Sequence, residues 1–148
     1  MSGFLSKLFG GNKSEKDVKL ITPYVARINT FFEEYRSLSN DELRHKTVEF
    51  KKRIKEHLTE TDDEINTKKT AAEALDSADI EGRDRIYQEV DAMLKARDNK
   101  IEEILLEILP EAFAVVKETA RRFKENKELK STATEQDKIF SVTKKYIS

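Results

Sequence analysis

The sequence predicts an all-α chain, an elongated helical assembly with one or two long helices and no sheet. Three observations lead there. Apolar residues recur at intervals of three and four over most of the chain, and no run alternates with period two over a useful length. Only four glycines and two prolines interrupt 148 residues, and Glu, Lys, Leu, Ile and Ala are abundant. Apolar residues make up 37% and charged residues 39%, which implies a thin core better suited to long helices or a partner surface than to a compact globule. At this length one domain is expected, burying roughly 70% of its unfolded surface.

The first element is a short amphipathic segment. Residues 3–10, GFLSKLFG, put Phe4, Leu5, Leu8 and Phe9 on one helical face and turn Ser6 and Lys7 away from it. Gly10-Gly11-Asn12 then makes a flexible joint, so residues 1–12 form a unit of their own. A helix this short needs something to lie on. It docks on its own domain or is a loose tail; alternatively Phe4, Leu5, Lys7, Leu8 and Phe9 contact a membrane surface or a partner, helped by Lys13, Lys16 and Lys19.

Residues 13–128 read as one helical domain. Val18, Ile21, Val25, Ile28, Phe32 and Tyr35 keep an unbroken 3-4-3-4-3 spacing, a seam for packing within the molecule. Thr22-Pro23 is either a cap and first helical residue or a kink within a longer helix. Ser39-Asn40-Asp41-Glu42 is a capping box, followed by Leu43, Thr47, Phe50, Ile54 and Leu58 on one stripe with Lys51, Lys52 and Lys55 in solvent. These two helices are expected to form a hairpin through Ser37-Leu38-Ser39.

Residues 59–82 are the weakest stretch. Eight acidic side chains face two lysines between 60 and 82; Ala71, Ala72, Ala74 and Leu75 allow a small helix, and Asp76 to Gly82 read as a loop. The helical pattern returns at Arg83 and continues through Ile86, Val90, Met93 or Leu94, Ile101, Ile104 and Ile108. Pro110 opens a second helix or kinks the first. Beyond it the apolar face is read as Phe113, Val116, Ala120 and Phe123, with Phe123 in the core. Thr134 caps a last segment carrying Ile139, Phe140, Val142 and Tyr146.

Composition removes several function classes. A net charge of −1 provides no global field for nucleic acid, and the six basic groups of 117–130 interleave with Glu118, Glu125 and Glu128. The absence of cysteine excludes disulfide and thiolate chemistry. No apolar run approaches the ~20 residues of a spanning helix. The cluster from Phe4 to Phe9 is too short for a signal peptide and carries Lys7. Glycines at 3, 10, 11 and 82 allow neither phosphate-binding signature, and His45 and His57 lie too far apart to share a metal. His45 is expected on a solvated face near Asp41. No catalytic, cofactor-binding or metal-ligating residue is therefore assigned.

Two blocks carry a family resemblance. Leu38 to Ile54, LSNDELRHKTVEFKKRI, and Leu109 to Arg122, LPEAFAVVKETARR, resemble successive blocks of the amino-terminal region of SecA, the motor ATPase of bacterial protein export. GFLSKLFG is similar to the short amphipathic start of such proteins. The spacer 55–108 is longer than in the typical member, which implies a helical insertion around 59–108. After Arg122 the family pattern runs into a His-Phe-Asp-Val-Gln segment and a Walker A loop, whereas here KENKELKSTATEQDKIFSV follows.

The resemblance implies an amino-terminal piece of a longer protein, with 129–148 a truncated connection toward a nucleotide-binding domain. It implies ATP and Mg²⁺ in the whole protein and none in this piece, whose phosphate loop, magnesium-binding acid and arginine finger would lie downstream. The implied partners are the SecYEG channel, preproteins, an anionic membrane surface and a second copy, with no nucleic acid. The implied location is cytoplasmic, peripheral at the cytoplasmic face of the inner membrane. A free-standing helical adaptor without enzymatic activity is the competing reading.

Overall fold

The computed structural model describes residues 15–143, which among themselves form four helices and no strand. The helices are α1 (Glu15–Tyr35), α2 (Asn40–Ala74), α3 (Ile80–Glu125) and α4 (Glu135–Thr143). The candidate contact residues Phe4, Leu5, Lys7, Leu8 and Phe9 lie outside the described residues.

Helix α1 contains Pro23 in its interior, so the proline does not start the helix. The expected seam is only partly used. Tyr35 is buried, Ile28, Phe31 and Phe32 pack around it, and Val18 and Val25 stay exposed. Helix α2 starts on the expected capping box: the Glu42 amide donates to Ser39 Oγ at 3.2 Å, and the Ser39 amide donates to Glu42 Oε2 at 2.7 Å.

The sequence expectation for 59–82 needs correction. Helix α2 runs unbroken to Ala74, and only residues 75–79 form a turn. The polar stretch stays helical because Leu58, Thr61, Ile65 and Ala72 face the neighbouring helix and are buried, while Glu60, Asp63 and Glu64 stay exposed. Charged side chains crossing between the helices add to this. Arg97 pairs with Asp62, Lys68 with Glu89, and Lys100 Nζ donates to Thr61 Oγ1 at 2.6 Å.

Helix α3 is the spine, 46 residues and about 69 Å at 1.5 Å per residue. Asp79 caps it by accepting from the Gly82 amide at 2.9 Å, and a Cβ at Gly82 would run into that carboxylate. Pro110 sits buried inside one continuous helix and does not open a second. Asn126 closes the helix, its backbone amide donating to the Arg122 carbonyl at 3.0 Å.

Helices α1 and α2 do not form the expected hairpin. Each packs chiefly on α3: α2 antiparallel along most of its length, from Lys68 beside Glu89 to Asn40 beside Arg122, and α1 against its last third. All three meet where Tyr35, Leu43 and Ala114 are buried together. The chain then doubles back over the start of α2. Asn40 Nδ2 donates to the Lys130 carbonyl at 2.7 Å, and the Thr132 amide and hydroxyl donate to Asp41 at 2.7 and 2.6 Å. Thr134 caps α4 as expected, exchanging hydrogen bonds with Asp137, but Ile139, Phe140 and Val142 are exposed.

Candidate functional site

The apolar face expected beyond Pro110 is on the wrong side of α3. Phe123 is 70% exposed, Val116, Ala120 and Phe113 are exposed too, and the inward positions are Ala114, Glu118 and Arg122. Continuing the Ile104–Ile108 row by helical steps leads to 111, 115, 118 and 122, so periodicity alone points to these positions. Three of them, Glu111, Glu118 and Arg122, are charged, which hides the signal, because charged residues are rarely fully buried unless paired.

Here they are paired. Glu118 is 0% exposed and Arg122 7%. Arg122 Nε donates to Glu118 Oε1 at 2.7 Å, and Arg121 donates to both carboxylate oxygens at 2.7 and 2.8 Å. The other end of Arg122 reaches the connection between α1 and α2. Nη1 donates to Asn40 Oδ1 at 2.7 Å, and Nη2 donates to the Leu38 and Tyr35 carbonyls at 2.6 and 3.2 Å. One guanidinium thus donates to the Leu38 carbonyl in the connection and adds a second donor to the Tyr35 carbonyl, which also accepts from the Leu38 amide at 3.2 Å.

A second polar cluster continues along the same seam. Glu111 Oε2 accepts from the Tyr35 hydroxyl at 3.1 Å, and Arg53 donates to Glu111 at 2.5 Å and to Glu107 at 2.6 Å. Lys46 Nζ lies 5.4 Å from the Tyr35 ring centroid, and Lys117 Nζ lies 4.1 Å from that of Phe32 while donating to Asn29.

The electrostatics follow from these partners. Hydrogen bonds from Arg121, then from Arg122, hold the Glu118 carboxyl below its ordinary value of 4.5 against the opposing effect of burial. Burial, followed by the Glu111 charge, pushes the Tyr35 hydroxyl well above its ordinary 10.0.

Every polar group at the junction is committed to a protein partner, so the arrangement holds elements together and offers no free acid, base or nucleophile. Among the described residues no three His, Cys, Asp or Glu side chains are placed to hold a metal ion. His45 and His57 are both exposed. Among the described residues, no helix is long and apolar enough to cross a membrane.

A cleft of about 400 Å³ opens beside the junction, lined in part by Leu43, Val115, Thr119, Phe123 and Leu129.

Comparison with known proteins agrees with the two sequence blocks. The model of the SecA DEAD-like domain matches residues 5–134. Over 142 residues the chain is 49% identical to the protein translocase subunit SecA of Flavobacterium psychrophilum, covering 96% of this chain and 12% of that protein. The protein of the same name from Amoebophilus asiaticus is 42% identical over 147 residues, with 99% and 13% covered. That of Parabacteroides distasonis is 42% identical over 135 residues, with 91% and 12% covered. No solved structure matches the chain. The chain therefore spans 12–13% of the length of these relatives. Matched over most of its length, it belongs to the SecA DEAD-like domain family.

Proposed function

We propose that this chain is the amino-terminal helical region of an ATP-driven protein translocase subunit, which moves preproteins across the inner membrane through the SecYEG channel. The observation that carries this reading is the 49% identity, over 96% of the chain, to a protein named as such a subunit. The geometry supports a mechanical role. The antiparallel α2–α3 pair is a strut about 50 Å long, and Arg122 locks the α1–α2 connection onto it.

In this reading ATP and Mg²⁺ are held by residues outside this chain. Phe4, Leu5, Lys7, Leu8 and Phe9 meet an anionic membrane at its cytoplasmic face, and the partners are the channel, preproteins and a second copy.

Preprotein translocation tests the reading. The longer protein containing this chain, incubated with inverted inner-membrane vesicles, should drive a labelled preprotein into a protease-protected state only with ATP. The 148-residue chain alone should release no phosphate from ATP and Mg²⁺. Phosphate release by the chain alone, or a longer protein that leaves the preprotein unprotected, would refute it.

A further inference from the structure

The far end of the α2–α3 pair, around the turn at 75–79, leaves an apolar row open on the first half of α3. Ile80, Tyr87 and Leu94 recur every seven residues. Seven steps of about 100° return to within about 20° of the same direction, so the three form one row about 21 Å long. Ile80 is 66%, Tyr87 41% and Leu94 38% exposed, whereas Val90 is buried. The row therefore runs beside the packed seam and not within it.

Its flank is charged in one sense. Asp84, Asp91 and Asp98 each follow a member of the row by four residues, about 40° to one side of it. All three are exposed. Among the described residues Asp84 and Asp91 form no ion pair, whereas Asp62 and Glu89 are committed to Arg97 and Lys68. The surroundings have the same sign. Residues 60–91 hold eleven acidic side chains and four basic ones, a net of −7 in a chain whose total is −1. Among the described residues no three carboxylates are placed to hold a metal ion, so the aspartates act as a line of charge.

We infer that this row is a docking surface for a basic amphipathic helix of a separate partner protein. Charge selects the occupant. A second copy would bring its own Asp84, Asp91 and Asp98 against these, and juxtaposed like charges are disfavoured. A partner helix with apolar residues every three or four positions lays them on Ile80, Tyr87 and Leu94. Lys or Arg beside them then meets the aspartates, the division of labour seen where helices pair through an apolar seam with charged flanks. The acidic end of the arm also draws a basic partner from a distance, so salt should slow association while the apolar anchoring persists.

The probe is a fluorescent helical peptide of about 18 residues with leucine at heptad positions a and d and lysine at e and g. Anisotropy titrations with the 148-residue chain, at about 0.15 M salt, should show saturable binding. The same peptide with glutamate in place of lysine should not bind. Tyr87→Ser, and separately Asp84→Asn/Asp91→Asn, should each weaken binding roughly tenfold or more. Asp63→Asn/Glu64→Gln removes the same charge from exposed positions of α2 in the same acidic region and should change binding less than about twofold. All these positions are exposed, and unchanged far-ultraviolet circular dichroism verifies the fold of each variant.

Equal weakening by the α2 control would reduce the binding to net charge and overturn the inference, as would a titration that never saturates. A chain that dimerises by itself, and that Tyr87→Ser returns to monomer in sedimentation velocity, would make a second copy the occupant and overturn it too. In the longer protein of the proposed function the peptide should bind as tightly. Loss of binding there would mean that the rest of that polypeptide covers the row, which also refutes a separate partner. The titration needs no translocation, so its failure and that of the proposed function are read separately.

Discussion

Removing the Arg122 side chain is the sharpest test of how this fold is held. Arg122→Ala leaves Glu118, at 0% exposure, with Arg121 alone, strips the Leu38 carbonyl and Asn40 Oδ1 of the Arg122 donor, and leaves the Tyr35 carbonyl with only the Leu38 amide. Breaking a buried ion pair by deleting one partner costs about 3–5 kcal/mol. The low end, about 3 kcal/mol, applies because Arg121 still neutralises the carboxylate. At about 2–4 °C per kcal/mol for a domain of this size, the melting temperature should drop by roughly 6–12 °C. Urea and thermal unfolding followed by far-ultraviolet circular dichroism measure both quantities. The double variant Glu118→Gln/Arg122→Met, which leaves no buried charge, should recover part of the loss. A shift under about 0.5 kcal/mol for Arg122→Ala, the range of ordinary surface substitutions, would show that the junction does not hold the helices together.

Further expectations concern other parts of the chain. Tyr35 has a raised folded-state pKa, so its contribution is fully present below pH 10 and lost as pH rises further; Tyr35→Phe should make the alkaline loss of stability shallower, and identical slopes in urea titrations would contradict this. Ser39→Ala removes the α2 cap and should cost about 1 kcal/mol, read as a lower urea midpoint at unchanged slope. The amino-terminal contact is tested by co-sedimentation with anionic liposomes. Phe4→Ser/Phe9→Ser should abolish binding, and salt should weaken the wild-type only in part because the apolar contribution is unscreened; equal recovery of both proteins in the supernatant would dismiss the anchor.

The all-α class, the Ser39 capping box and the Thr134 cap were legible in the sequence, because each depends on residues within one or two turns of one another. The family was legible too, in the blocks from Leu38 to Ile54 and from Leu109 to Arg122. Extent and orientation were not. Residues 59–74 look too polar for a helix until α3 supplies Arg97, Lys100 and Glu89 as partners and buries Thr61, Ile65 and Ala72.

Between Leu105 and Phe123, α3 has an apolar side and a side bearing Glu118 and Arg122. Residue polarity favours burying the apolar one. The tertiary structure turns the charged side inward, because Glu118 and Arg122 satisfy each other and Arg122 reaches the Tyr35 and Leu38 carbonyls, while Val116 and Phe123 stay exposed. Helix formation is decided by neighbours along the chain. Which face of a two-sided helix is buried is decided by partners some 80 residues away, whose carbonyls no local pattern records.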